Sequence, residues 1–282
     1  MKDESGAIEK PLAGRTVVIT RALAQSAEFA AALESYGARV ISCPTIEIIE
    51  PETFEPLDEA IDHLYGYDWI IFTSVNGVEY FLRRLEARGH DVSELDELRV
   101  CAIGEATALR LSESLIHVDV VPEQFKAEGA FAAIEAFLGG REHLRERNFL
   151  IPRAAVARDY LPRALEEAGA RADTVAAYRT VTLQETNERR RVEVLLAGGG
   201  VDCVTFTSSS TVRNFAELFD TTNLKSLLEG VSIACIGDIT ASTAAAYGLD
   251  TVIQPNEYTT PALARAIAEY FKSLESGESG VW

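Results

Sequence analysis

Short apolar runs alternate along this chain with longer stretches whose apolar residues recur every three or four positions. That is the signature of buried strands feeding amphipathic helices. The first run is Thr16–Thr20 (TVVIT), followed by Arg21 and a helical stretch with Phe29, Leu33 and Tyr36 on one face. Gly37 stands where a C-cap glycine ends a helix, and ARVISC begins a second strand. Two further runs, DWIIF and DCVTF, end in hydroxyl residues and pass into helical patterns, as FTSVNGVEYF at 72–81 and FTSSSTVRNF at 206–215. Each reads as a buried parallel strand entering a helix N-terminus. The free N–H groups there, helped by Thr and Ser hydroxyls, suit a carboxylate or phosphate; the plainer reading is that the hydroxyls only cap the helix.

The pieces recur. Phe72 and Phe206 lie 134 residues apart, and ITRA (19–22) returns as IPRA (151–154) at a spacing of 132. LESYGAR (33–39) returns as LEEAGAR (165–171), and AIGEATA (102–108) as CIGDITA (235–241). A third strand reaches Pro122 in one copy and Pro255 in the other. The last helix carries Ala133, Ile134 and Phe137, then Ala266, Ile267 and Tyr270. A repeat of roughly 133 residues is too long for a solenoid and fits duplication of a whole domain. With the strand–helix–strand piece called A and the longer piece B, the chain reads A-B-A-B. Two strands from A and three from B predict a five-stranded parallel sheet with helices on both faces, made twice. Pairing of neighbouring pieces and exchanged pairing satisfy the strand count equally. The extended segments Pro44–Glu50 and Arg179–Gln184 can pair as a two-stranded hinge. In either arrangement the strand C-termini carry FTS, IGxxTA and the arginines, so two such edges facing each other would form a cleft.

Composition narrows the partners. The chain has 282 residues, 47% hydrophobic and 25% charged, which is ordinary for a soluble globular protein. Its formal charge of -18 disfavours nucleic acid and anionic membranes, though a few arginines in a cleft can still attract a small anion. MKDESGAIEK lacks the apolar core of a signal peptide, and no apolar run approaches membrane-spanning length, so a cytoplasmic location is expected. The tail SGESGVW is expected to be mobile. Cys43, Cys101, Cys203 and Cys235 form no CxxC pair and read as buried, reduced and structural. His63, His90, His117 and His143 show no metal-ligand spacing, so no metal site is expected.

Candidate chemistry is limited to neutral donors and two cations. No GxGxxG after a strand, no GxxxxGK[ST] and no GxSxG elbow is present. Thr73, Ser74 and Asn76 correspond to Thr207, Ser208 and Ser210, Thr107 to Thr240, and Arg21 to Arg153. Such a lining suits a ligand with several carboxylates; the plain alternative for each arginine is a surface salt bridge. Tyr178 breaks the repeat, because the matching position holds Ile46. Its phenol can donate to a leaving oxygen, or pack at the domain edge with its hydroxyl in water.

In the order ITRA, FTSVNGV, AIGEATA, GARADTVAAYRT, FTSSSTV and CIGDITA, residues 12–272 resemble the uroporphyrinogen-III synthase family. The resemblance implies two similar flavodoxin-like α/β domains joined by a two-stranded β-ladder hinge, with exchanged halves. It selects a discontinuous domain of 1–46 plus 183–282 and a second of 47–182. It also implies a cofactor-free, cyclising dehydration. Hydroxymethylbilane, a linear tetrapyrrole with eight carboxylates, loses water and closes through a spiro intermediate to uroporphyrinogen III with ring D inverted. The family's tyrosine falls on Tyr178, and its cleft hydroxyls and backbone donors fall on Ser74, Thr107, Ser208 and Thr240. Where the family often has a second threonine, this chain has Ile239. The bilane's instability points to transient contact with hydroxymethylbilane synthase, and the chain is read as a monomer. The rival reading from another class is a non-catalytic two-domain binding protein for a polycarboxylate; a further one is an inactive relative kept as a complex partner.

Overall fold

The computed structural model describes residues 10–184 and 186–276, so the N-terminal stretch through Glu9 and the tail from Gly277 lie outside the described residues. Among the described residues ten strands form in chain order: β1 (Thr16–Ile19), β2 (Arg39–Ser42), β3 (Ile46–Ile49), β4 (Trp69–Phe72), β5 (Arg99–Ala102), β6 (Asn148–Ala154), β7 (Arg171–Thr182), β8 (Cys203–Phe206), β9 (Ser232–Cys235) and β10 (Thr251–Ile253). The chain divides into two compact units. One comprises the chain up to Glu47 together with the chain from Val181 onward, and the other is Ile48–Thr180.

In the first unit the strand order is β10-β9-β8-β1-β2, with every pairing parallel. Taken in chain order within the unit, this is the doubly wound 2-1-3-4-5 arrangement. Both faces are covered, which is why the strands are apolar throughout rather than alternating. Val18, Val204, Phe206 and Ile233 point into one core, and Val17, Ile19, Cys203 and Ala234 into the other. Successive side chains on a strand face opposite ways, so one four-residue run feeds two cores. Buried hydroxyls in this sheet are satisfied by backbone: Thr205 donates to the Val18 carbonyl and Thr20 to the Thr205 carbonyl at 2.7 Å.

The second unit follows the same logic in the order β3-β7-β6-β4-β5. The pairings of β4 with β5, β4 with β6 and β6 with β7 are parallel. Ile70, Phe72, Val100 and Leu150 fill one core, while Trp69, Ile71, Phe149 and Ile151 fill the other. The strand expected to run to Pro122 is reduced to a single bridge from Val120 to Cys101, and β3 supplies the fifth strand instead. The cause is local: the Asp119 carboxylate accepts the Val100 N–H at 2.8 Å in place of a strand carbonyl, whereas the matching position in the other copy is Val252.

Two corresponding clamps close the opposite ends of these sheets. Asp202 accepts the Thr16 N–H at 2.8 Å and pairs with Arg15, while Asp68 accepts the Asn148 N–H at 2.9 Å and pairs with Arg147. Removing one carboxylate strands a part-buried backbone donor. Asp202→Ala should therefore lower stability by about 1–2 kcal/mol, read as a shifted denaturant midpoint. A shift within error would mean that water replaces the carboxylate. Among the described residues no helix is long and apolar enough to cross a membrane.

Candidate active site

In each unit the candidate residues collect where the strand order reverses, between β1 and β8 and between β6 and β4, at the strand C-termini. Ligands of open α/β sheets bind at this kind of switch point.

In the second unit β4 ends at Phe72, and Ser74 caps the helix Val75–Ala87 by accepting the Gly77 N–H at 3.1 Å. A Cβ on Gly77 would stand 3.2 Å from the Pro152 carbonyl oxygen, so glycine lets this helix end sit close against β6. Ser74 Oγ also lies 3.1 Å from the hydroxyl of Tyr178, on β7. Tyr178 is only 7% exposed, and its ring packs 5.8 Å from that of Tyr80, whose hydroxyl donates to the Ile48 carbonyl. Thr73 keeps a hydroxyl with no hydrogen-bond partner among the described residues, and Asn76 occupies the first turn of the same helix. Thr107 is buried and donates to the Ile103 carbonyl at 3.2 Å. Thr107 lies in the helix Glu105–Glu113, whose N-cap Gly104 has φ +103, a conformation open to glycine but strained for other residues. Arg153 is tied down: it donates to the Arg158 carbonyl and to Asp159 at 2.8 Å, and it holds the Asp159 carboxyl below its usual range.

The first unit has the same frame with different commitments. Ser208 caps the helix Ser209–Leu218 in a reciprocal box with Thr211, and its hydroxyl lies 2.8 Å from that of Ser210. Thr207 and the buried Thr240 have hydroxyls without a partner among the described residues. Arg21 follows β1, makes a long 3.4 Å bond to the Gln25 amide oxygen, and has no ion pair among the described residues. Burial lowers its pKa, opposed only by the field of Glu28. A half-buried guanidinium without a carboxylate gains from any anion that reaches it. Ile239 is 81% exposed, and Ser209 and Thr243 hydroxyls hold its carbonyl.

The two matched arginines thus differ. Arg153 is neutralised within its own loop, and Arg21 is not. One cluster escaped sequence reasoning. The Asp238 carboxylate at the start of the helix Asp238–Ala246 accepts from Gln254 at 2.6 Å and from the Tyr258 hydroxyl at 3.1 Å, and the Tyr258 ring lies over Gly237. The available signal was positional, since Tyr258 and Asp238 match Phe125 and Glu105 at the 133-residue spacing. The cysteines are all buried and free, and burial pushes the Cys43 and Cys101 thiols up to about 12. Among the described residues no group of three or more His, Cys, Asp or Glu could hold a metal ion.

Fold and site together define a double α/β protein that presents hydroxyls, helix N-termini and an unpaired guanidinium at the switch points of its two sheets. Comparison with known proteins specifies it further. The family model described as uroporphyrinogen-III synthase HemD matches residues 27–265. A uroporphyrinogen-III synthase of Synechococcus elongatus is 33% identical over 93% of this chain and 97% of its own length. One from Chlorobaculum parvum is 31% identical over 92% of this chain and 100% of its own. Among solved structures, a mutant uroporphyrinogen III synthase from Thermus thermophilus matches with a TM-score of 0.61 at 19% identity, covering 93% of this chain and 99% of that one, a likeness of fold. The chain belongs to the uroporphyrinogen-III synthase family, cyclising lyases of tetrapyrrole biosynthesis.

Proposed function

We propose that the chain closes hydroxymethylbilane to uroporphyrinogen III, using Tyr178 as the proton donor to the departing hydroxyl. The observation that carries the residue assignment is the hydroxyl of Tyr178, on β7, bonded to the helix-capping serine that follows β4 at the switch point. The substrate also closes spontaneously, without ring inversion, to the type I isomer. Catalysis is therefore chiefly a matter of holding one closure geometry in preference to another. Arg21, Thr73, Thr207 and Thr240 have donor capacity to spare for carboxylates, and Asn76, Ser208 and Ser210 stand beside them at helix N-termini. Thr107 must release the Ile103 carbonyl to donate to a ligand, and Arg153 keeps N–H donors free but has its charge already met by Asp159. Transient contact with hydroxymethylbilane synthase and a monomeric state belong to the same reading.

We further read the two units as products of one duplication, with β3 and β7 carrying the chain between them as a hinge. The matched clamps Asp202–Arg15 and Asp68–Arg147 support the first point. The adjacency of β3 and β7 supports the second, together with bonds from Leu183 N–H to Thr45 O and from Arg179 to Glu50 O.

The test is an isomer ratio. Porphobilinogen and hydroxymethylbilane synthase generate the bilane in situ, and the oxidised uroporphyrins are separated with and without this protein. A shift from type I to mainly type III is expected; type I alone from folded protein removes the reading. In the same assay Arg21→Gln should raise KM roughly tenfold with a smaller change in kcat, the loss of one charge-assisted contact. An unchanged KM would release Arg21 from substrate binding.

A further inference from the structure

We propose that Ser74 is a positioning residue that acts through Tyr178, rather than a direct ligand of the substrate. The inference rests on the reading of Tyr178 as proton donor and specifies how its proton is aimed.

Protons and lone pairs decide how this pair of hydroxyls is arranged. Ser74 Oγ accepts the Gly77 N–H at 3.1 Å, and its one other partner among the described residues is the Tyr178 hydroxyl at 3.1 Å. That phenol in turn has Ser74 as its one polar partner among the described residues, and its ring is fixed inside an apolar core beside Tyr80. Two hydroxyl groups bring two protons, but a single bond between them uses one. When Ser74 donates to the phenolic oxygen, the Tyr178 proton is the surplus and must find an acceptor elsewhere. The departing hydroxyl of the substrate is such an acceptor. The phenol O–H bond then breaks, the proton joins the hydroxyl, and the C–O bond breaks with its electron pair on the departing water, leaving a positive charge on the substrate that balances the new phenolate. Ser74 keeps its own proton and its bond to the new phenolate. The helix N-terminus that Ser74 caps also favours negative charge on that oxygen.

The corresponding serine in the other unit shows that capping alone does not require this arrangement. Ser208 caps its helix equally, yet its hydroxyl is engaged by Ser210 and Thr211, and the position matching Tyr178 is Ile46. The phenol is the added element, and Ser74 is the group it meets.

The experiment is a double-mutant cycle on the full chain, with hydroxymethylbilane generated in situ as the probe and thermal unfolding followed in parallel. Ser74→Ala should lower kcat about tenfold with KM nearly unchanged, the loss of one buried hydrogen bond to the reacting group. In a Tyr178→Phe background the same substitution should cost nothing further, because there is no phenol left to aim. Ser74→Thr keeps the hydroxyl and should recover most of the rate. Ser74→Gly, which preserves a helix N-cap with little loss of stability, repeats the test should Ser74→Ala unfold. Equal losses in both backgrounds, or a raised KM, would place Ser74 on the substrate and overturn the proposal. Full activity in a folded Ser74→Gly chain would overturn it as well. Failure of the underlying reading looks different: Tyr178→Phe alone would then turn over at the parental rate.

Discussion

Tyr178→Phe should lower kcat about a hundredfold, the smaller end of what a positioned proton donor contributes. The product should remain mainly the type III isomer. These two expectations separate chemistry from geometry. The substitution removes one oxygen, bonded to Ser74, and it leaves the ring packed in the apolar core of its unit. Stability should therefore change little, and donors elsewhere should still impose the closure that inverts ring D. The proton needed by the departing hydroxyl would come more slowly from water. A rate equal to the parent's would remove Tyr178 from the chemistry. Complete inactivity in a folded variant would mean that the phenol does more than donate, for instance that its oxygen also orders the ring to be inverted. A type I product at near-normal rate would move Tyr178 from proton transfer to orientation.

The fold was legible because parallel strands covered on both faces must be apolar throughout, and runs such as WIIF and CVTF satisfy this without ambiguity. What the pattern could not reveal was which copy pairs with which. Either A piece offers the same apolar edge to either B piece, so the β1–β8 pairing is seen in the structure and implied by the family resemblance, and does not follow from periodicity. The missing third strand of the second unit had a signal in Asp119, but a carboxylate that takes a ladder N–H looks in sequence like any exposed acid. At the site, residue types were readable and commitments were not. Arg21 and Arg153 occupy matching positions in ITRA and IPRA, yet Asp159 neutralises only the second. The Ser74–Tyr178 bond joins residues 104 positions apart, beyond the reach of a local motif. The duplication supplied the best substitute, since it marked Tyr178 as the residue that one copy has and the other lacks.

The hydrophobic core beneath the site sets a further expectation. Phe72 is fully buried at the end of β4, immediately before Thr73 and Ser74, with its ring edge-on to Phe81 at 5.5 Å. Phe206 and Phe215 repeat the pair at 5.5 Å in the first unit. Phe72→Ala should cost about 3–5 kcal/mol, the transfer free energy of the ring plus the cavity it leaves. Against a typical domain stability of about 5–15 kcal/mol this is a large fraction, and Tm should fall by roughly 10 °C or more. Each unit has its own pair of cores, so the loss should be local. Hydrogen exchange at Ile70, Val100 and Leu150 should accelerate by orders of magnitude, while Val18, Val204 and Ile233 stay protected. Equal acceleration in both sets would mean that the two units unfold as one. The variant should also lose activity at temperatures where it is still folded, because Phe72 fixes the strand end that delivers Ser74 to Tyr178. A destabilised but fully active Phe72→Ala chain would instead show that the helix starting at Val75 holds the Ser74–Tyr178 bond without help from the strand before it.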